Sequence, residues 1–103
     1  MIARGTTPTI RMTCSIIDVS SIDAAYLTVK QGSLVIEKDL QDATVVHSSS
    51  ANYLEWSFTQ EETLSLDAMA QVEMQVRYRA NGKAYESPIV VDTVYRILKE
   101  GVI

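Results

Sequence analysis

The chain carries few residues able to do chemistry, and they are scattered. His47 is the only histidine and Cys14 the only cysteine. Histidine-rich and cysteine-rich metal sites are therefore excluded, because such sites draw about three or four ligands from those two residue types. Cys14 falls on the apolar side of an alternating stretch, where a free cysteine acts as a small hydrophobe. Nothing near it in sequence marks the paired base that a nucleophilic thiol needs. Asp39 with Asp42, and Asp18 with Asp23, are carboxylate pairs close enough to hold calcium or run acid–base chemistry. Neither pair lies in an Asp-x-Asp-x-Asp-Gly frame. They read instead as turn formers whose side chains bond their own backbone. Gly-rich phosphate loops and nucleophile elbows are absent from the sequence. The expectation is a protein that is not an enzyme and has no catalytic, cofactor-binding or metal-binding residues.

The elements that carry these residues are short and β-like. Of the 103 residues, 47% are hydrophobic and 21% charged, the range of a globular domain and not of a disordered chain. The length suits a single domain spanning 1–103. A net charge of −4 with scattered Lys and Arg argues against nucleic-acid binding, which relies on clustered positive charge. The opening Met1-Ile2-Ala3-Arg4-Gly5 lacks the apolar core of a signal peptide. No run approaches the ~18 apolar residues of a membrane helix, so no membrane partner is expected. Period-two alternation dominates: Ile10 to Ile16, Ala25 to Lys30, and Tyr53 to Phe58, with Leu54, Trp56 and Phe58 on the core face. Leu34–Glu37 and Ala43–His47 complete this set. Lys38–Asp42 is expected as loop and Ser48–Asn52 as a flexible connection. Thr59-Gln60-Glu61-Glu62 has capping-box spacing and predicts one short helical turn through Leu64.

Ala70 to Tyr78 alternates without a miss, and Asn81-Gly82 follows. That pair favours a type I′ hairpin turn because both positions need positive φ. A two-residue turn pairs Tyr78 with Tyr85, Val76 with Ser87, Met74 with Ile89 and Val72 with Val91, while Arg77 meets Glu86 on the opposite face. Pro88 falls opposite Gln75, where the strand should open or bulge for want of an N–H. About seven strands with one helical turn predict an all-β fold of two antiparallel sheets, an immunoglobulin-like sandwich. The Cys…Trp…Cys hallmark is missing, and a small barrel is the competing architecture.

Several segments together carry a family resemblance. They are Arg4-Gly5-Thr6-Thr7-Pro8-Thr9-Ile10, Thr59 to Leu64, Val72 to Arg79 with its Asn81-Gly82 turn, and the closing Val94-Tyr95-Arg96-Ile97-Leu98-Lys99-Glu100-Gly101-Val102-Ile103. The chain resembles small proteins encoded among the tail and baseplate genes of prophages in Gram-positive bacteria. More distantly, it is similar to the N-terminal sandwich domain of siphophage upper baseplate proteins. The resemblance implies a non-enzymatic structural or adaptor module, cytoplasmic during assembly and then part of a virion. A stand-alone immunoglobulin-like module for adhesion or carbohydrate binding is the alternative. The last residues are unusually apolar for a chain end. Ile97 and Leu98 either finish the last strand or dock elsewhere, and Gly101 breaks the strand. Ile97, Leu98, Val102 and Ile103 are therefore expected to bind a protein partner, a second copy or another virion protein.

Overall fold

A computed structural model describes residues 2–103. Among the described residues nine strands form: β1 (Ile2–Ala3), β2 (Thr9–Thr13), β3 (Ile22–Gln31), β4 (Leu34–Asp39), β5 (Thr44–His47), β6 (Asn52–Ser57), β7 (Gln71–Ala80), β8 (Lys83–Glu86) and β9 (Val90–Tyr95). One α-helix, α1 (Gln60–Leu64), lies between β6 and β7, and Val19–Ser21 and Leu40–Asp42 form 3-10 turns. The strands make two sheets. The larger runs β1-β9-β7-β3-β4, with β8 also on β7, and the smaller runs β2-β6-β5. All pairings are antiparallel except that of β1 with β9. The fold is thus all-β, with two sheets enclosing a common core.

Alternation explains which side chains that core takes. β3 buries Ala25, Leu27 and Val29; β6 buries Leu54 and Trp56, and Phe58 follows; β7 buries Val72, Val76 and Ala80. Val94 and Ile2 close the core beneath the parallel β1–β9 pair. The buried indole of Trp56 donates from Nε1 to the Asp39 carbonyl at 2.9 Å, tying the small sheet to the end of β4. A buried Trp N–H without such a partner would be costly.

The hairpin after β7 forms as expected near its turn. Asn81 has φ 54° and Gly82 φ 77°. Tyr78 pairs with Tyr85 and Arg77 with Glu86 in register, and the two tyrosine rings stack with centroids 5.2 Å apart. Arg77 and Glu86 face each other without closing into an ion pair among the described residues. Beyond Ser87 the expected register is wrong by one residue. Met74 pairs with Val90, not Ile89, and Val72 with Asp92, not Val91. The cause is local. Ser87 donates its N–H to the Val76 carbonyl at 2.8 Å, but the Val76 N–H goes to the Ser87 hydroxyl at 2.9 Å. The Ser87 carbonyl is taken by the Gln75 side chain at 3.0 Å. Pro88 has no N–H to rejoin the ladder, so one extra residue is inserted before pairing resumes. The last strand is thereby split into β8 and β9, which with β1 accounts for nine strands where about seven were expected.

Other boundaries differ for equally local reasons. The strand expected over Ile10 to Ile16, β2, ends at Thr13, so Ile16 turns outward and is 95% exposed instead of packing inward. The Asn52 amide pulls the chain away there, donating to the carbonyls of Cys14 at 2.9 Å and Ile17 at 2.7 Å. The Ser48–Ala51 connection is a closed turn, with the Ser48 N–H on the Ala51 carbonyl at 2.7 Å. The last strand stops at Tyr95, so Ile97 and Leu98 do not finish it.

Candidate interaction site

Three of the four carboxylates in the two sequence pairs act as backbone caps, and the fourth, Asp23, pairs with an arginine. Asp39 Oδ1 accepts from the N–H groups of Gln41 and Asp42, and Asp42 Oδ2 accepts from the Asp39 N–H at 3.0 Å. Asp18 caps the first 3-10 turn through Ser20, whose hydroxyl and N–H hold its carboxyl below the usual aspartate range. Asp23 is lowered by the Arg79 guanidinium 2.9 Å away. Burial raises the Cys14 thiol, which disfavours the thiolate form. No group of three or more His, Cys, Asp or Glu side chains is arranged to hold a metal among the described residues. No helix among them is long and apolar enough to cross a membrane.

One constellation escaped the sequence reading. His47 Nδ1 lies 3.2 Å from Asp18 Oδ1 and 3.2 Å from Asn52 Oδ1. Asn52 Oδ1 also accepts from the Val19 N–H, and its amide nitrogen is committed to two carbonyls, so the orientation of the amide is fixed. Two oxygen acceptors around Nδ1 place a proton on that nitrogen. The cluster is a brace: it pins the loop after β2 to the β5–β6 turn. Asn52, within the expected flexible connection, carried no signal in sequence because its backbone partners at Cys14, Ile17 and Val19 lie over thirty residues away.

Residues 96–103 run back over the domain beside α1. The helix opens as the capping box predicts: Thr59 Oγ1 accepts from the Glu62 N–H at 3.2 Å and Glu62 Oε1 accepts from the Thr59 N–H at 2.8 Å. Burial alone would raise the Glu62 carboxyl. The Thr59 N–H and the Lys38 ammonium at 3.0 Å outweigh it, and the carboxyl stays below its ordinary range. The buried Thr63 hydroxyl donates to the Thr6 carbonyl at 2.8 Å and fixes the loop before β2. Arg4 then joins three segments. Its Nε donates to the Leu66 carbonyl at 2.9 Å and its Nη2 to the Leu64 carbonyl at 3.0 Å, satisfying carbonyls at the end of the helix and just beyond it. Its Nη1 pairs with Glu100 at 2.6 Å. The Gln60 side chain clasps the Ile103 backbone from both sides, accepting its N–H at 2.8 Å and donating to its carbonyl at 3.1 Å.

On this scaffold the four expected partner-binding residues separate. Ile97 is half-buried in its own domain. A Cβ on Gly5, whose φ is +74°, would come within 3.0 Å of Ile97 Cδ1 and 3.4 Å of Leu64 Cδ2. Ile97 therefore occupies the space a side chain at Gly5 would fill, and it anchors the segment. Leu98 is 92% exposed, Ile103 89%, and Val102 is also exposed. A second apolar surface was hidden by the register slip. Ile89, Val90 and Val91 are exposed on the edge of the larger sheet, where β1 covers only Val94 and Tyr95. A scan against protein-family models finds no match, and neither a search of curated proteins nor a search of solved structures finds one.

Proposed function

We propose that this domain is a non-enzymatic structural or adaptor module of a phage or prophage virion, associated with the tail or baseplate, that works through protein–protein contacts. The observation that carries the reading is the segment Ile97–Ile103. It is held to the domain by Arg4, Gln60 and the Ile97 anchor, yet it presents Leu98, Val102 and Ile103 to solvent. A fixed backbone bearing uncovered apolar side chains loses little conformational entropy on docking. The family resemblance of the chain supports the virion setting, with assembly in the cytoplasm. The residue census of the sequence, a single histidine and a single cysteine, supports a role without catalysis.

The immunoglobulin-like reading of the sandwich belongs to the same proposal. It draws support from strand order: β3 and β7 lie at the centre of one sheet with β4 and β9 outside them, β6 lies between β2 and β5, and β1 runs parallel to β9. Variable-type immunoglobulin domains likewise extend their GFC sheet by a further strand beside C. The stand-alone binding module is the second reading, favoured by a groove on the outer face of the larger sheet.

The test removes Gly101–Ile103 and compares the truncated and intact proteins in two measurements: mass by light scattering, and binding to the purified products of neighbouring genes. The expected outcome is loss of self-association or of partner binding with an unchanged melting temperature. Equal mass and equal binding would remove this segment from the interface.

A further inference from the structure

The outer face of the larger sheet, away from the core, holds a groove of about 420 Å3. That volume lies within the roughly 300–1,000 Å3 of small-molecule sites. Its depth comes from small residues: Ala24 and Thr28 on β3 and Ala84 on β8. Tyr26 stands between the first two on the same strand face, 48% exposed, with no ring stacked against it. Cross-strand pairing places Arg77 beside Tyr26 on one side, and Glu37 beside Thr28 on the other.

Two features choose the class of occupant. The first is charge. Arg79 is neutralised by Asp23, and Arg77 is balanced by Glu37, so the groove has no net charge to attract an anion or a cation. The second is unspent hydrogen bonding. Arg77 and Glu37 have no polar partner among the described residues, and the Tyr26 hydroxyl, which feels the Arg79 charge, makes no hydrogen bond among them. The neighbouring Gln75 is already held by the Ser87 carbonyl and forms a fixed wall. An uncovered aromatic ring flanked by a planar donor and a planar acceptor suits a flat, uncharged molecule with an apolar C–H face and a rim of hydroxyls.

We infer that the groove between Tyr26, Arg77 and Glu37 binds a neutral saccharide, with one pyranose ring on Tyr26 and its hydroxyls shared between Arg77 and Glu37. These residues sit on paired strands of one sheet and not on loops, which favours a preformed site. It is separate from residues 97–103, and either proposal can fail while the other stands.

The experiment follows backbone amide shifts of the intact protein by NMR during titration with glucose, galactose, N-acetylglucosamine and rhamnose. Inorganic phosphate and a glutamate-rich peptide serve as anionic probes. At least one sugar is expected to give saturable shifts at Tyr26, Thr28, Gln75 and Arg77. Tyr26→Ala and Arg77→Ala should each weaken that binding by about tenfold or more without altering the rest of the spectrum, and Tyr26→Phe should retain most of it. Tyr26 and Arg77 lie outside the core, so the variants should fold. The inference is overturned if no sugar gives saturable shifts, if the shifts map elsewhere, if Tyr26→Ala binds as well as the intact protein, or if phosphate or the peptide binds the groove more tightly than every sugar.

Discussion

At the scale of single residues, burial and hydrogen bonding decide what a substitution does. Val76 is 4% exposed and faces the core from β7. Val76→Asp would bury a carboxylate without a partner, at a cost of about 4 kcal/mol or more. The expected result is loss of the cooperative thermal transition, whereas Glu73→Ala on the exposed face should change stability by about 0.5 kcal/mol or less. A cooperative melt for the Val76 variant near that of the parent would contradict the assigned face. Acid sensitivity belongs to this scale too. The carboxyls of Asp18, Asp23 and Glu62 are held below their ordinary values of 3.8, 3.8 and 4.5. Groups depressed in the folded state bind fewer protons there than in the unfolded chain. Their contribution is complete above those ordinary values and disappears as pH falls through the lower, folded ones. Melting temperature should therefore stay level down to about pH 5 and fall below pH 4. A melting temperature that rose on acidification would show the opposite sign of shift.

At the scale of elements, turn and cap chemistry is the part most completely written in short windows. Gly82 has φ +77° with open space around its Cα, so a side chain there meets no neighbour but strains the backbone. Gly82→Ala should cost about 1 kcal/mol. For a domain of this size that lowers the melting temperature by about 4–8 °C. An unchanged melting temperature would mean that the Asn81-Gly82 turn contributes nothing to the hairpin. The same hairpin shows how a short window misleads. Alternation carried past Pro88 placed Ile89 and Val91 inward. The diversion of the Ser87 hydroxyl and carbonyl inserts one residue, and both side chains turn to solvent. With a period of two, one inserted residue reverses every face that follows. A proline and a bulge on this edge also blunt it against unwanted strand pairing.

At the scale of the molecule, two sheets and a common core carry the stability, and each exposed feature is fixed to that frame. The metal-free reading of the sequence predicts that a chelator leaves the melting temperature unchanged. A drop of several degrees with EDTA, reversed by adding a divalent cation, would defeat it. The segment after β9 shows how distant residues cooperate in one contact. Arg4, Gln60 and Glu100 are far apart in sequence, yet together they hold residues 97–103 in place.

The sequence by itself determined the all-β class, the core faces of β3, β6 and β7, the register beside the Asn81-Gly82 turn, and the capped turn at Thr59. Each of these depends on residues a few positions apart, whose hydrogen bonds and apolar spacing are complete within one window. Only the tertiary structure decided the one-residue shift at Ser87 and the brace of His47, Asp18 and Asn52. It also decided the inward turn of Ile97 and the meeting of Tyr26 with Arg77 on one outer face. The last of these depends on strands some fifty residues apart in sequence pairing in a single register. That choice is made by packing of the whole core and by the satisfaction of every buried polar group at once, and no short stretch of sequence contains it.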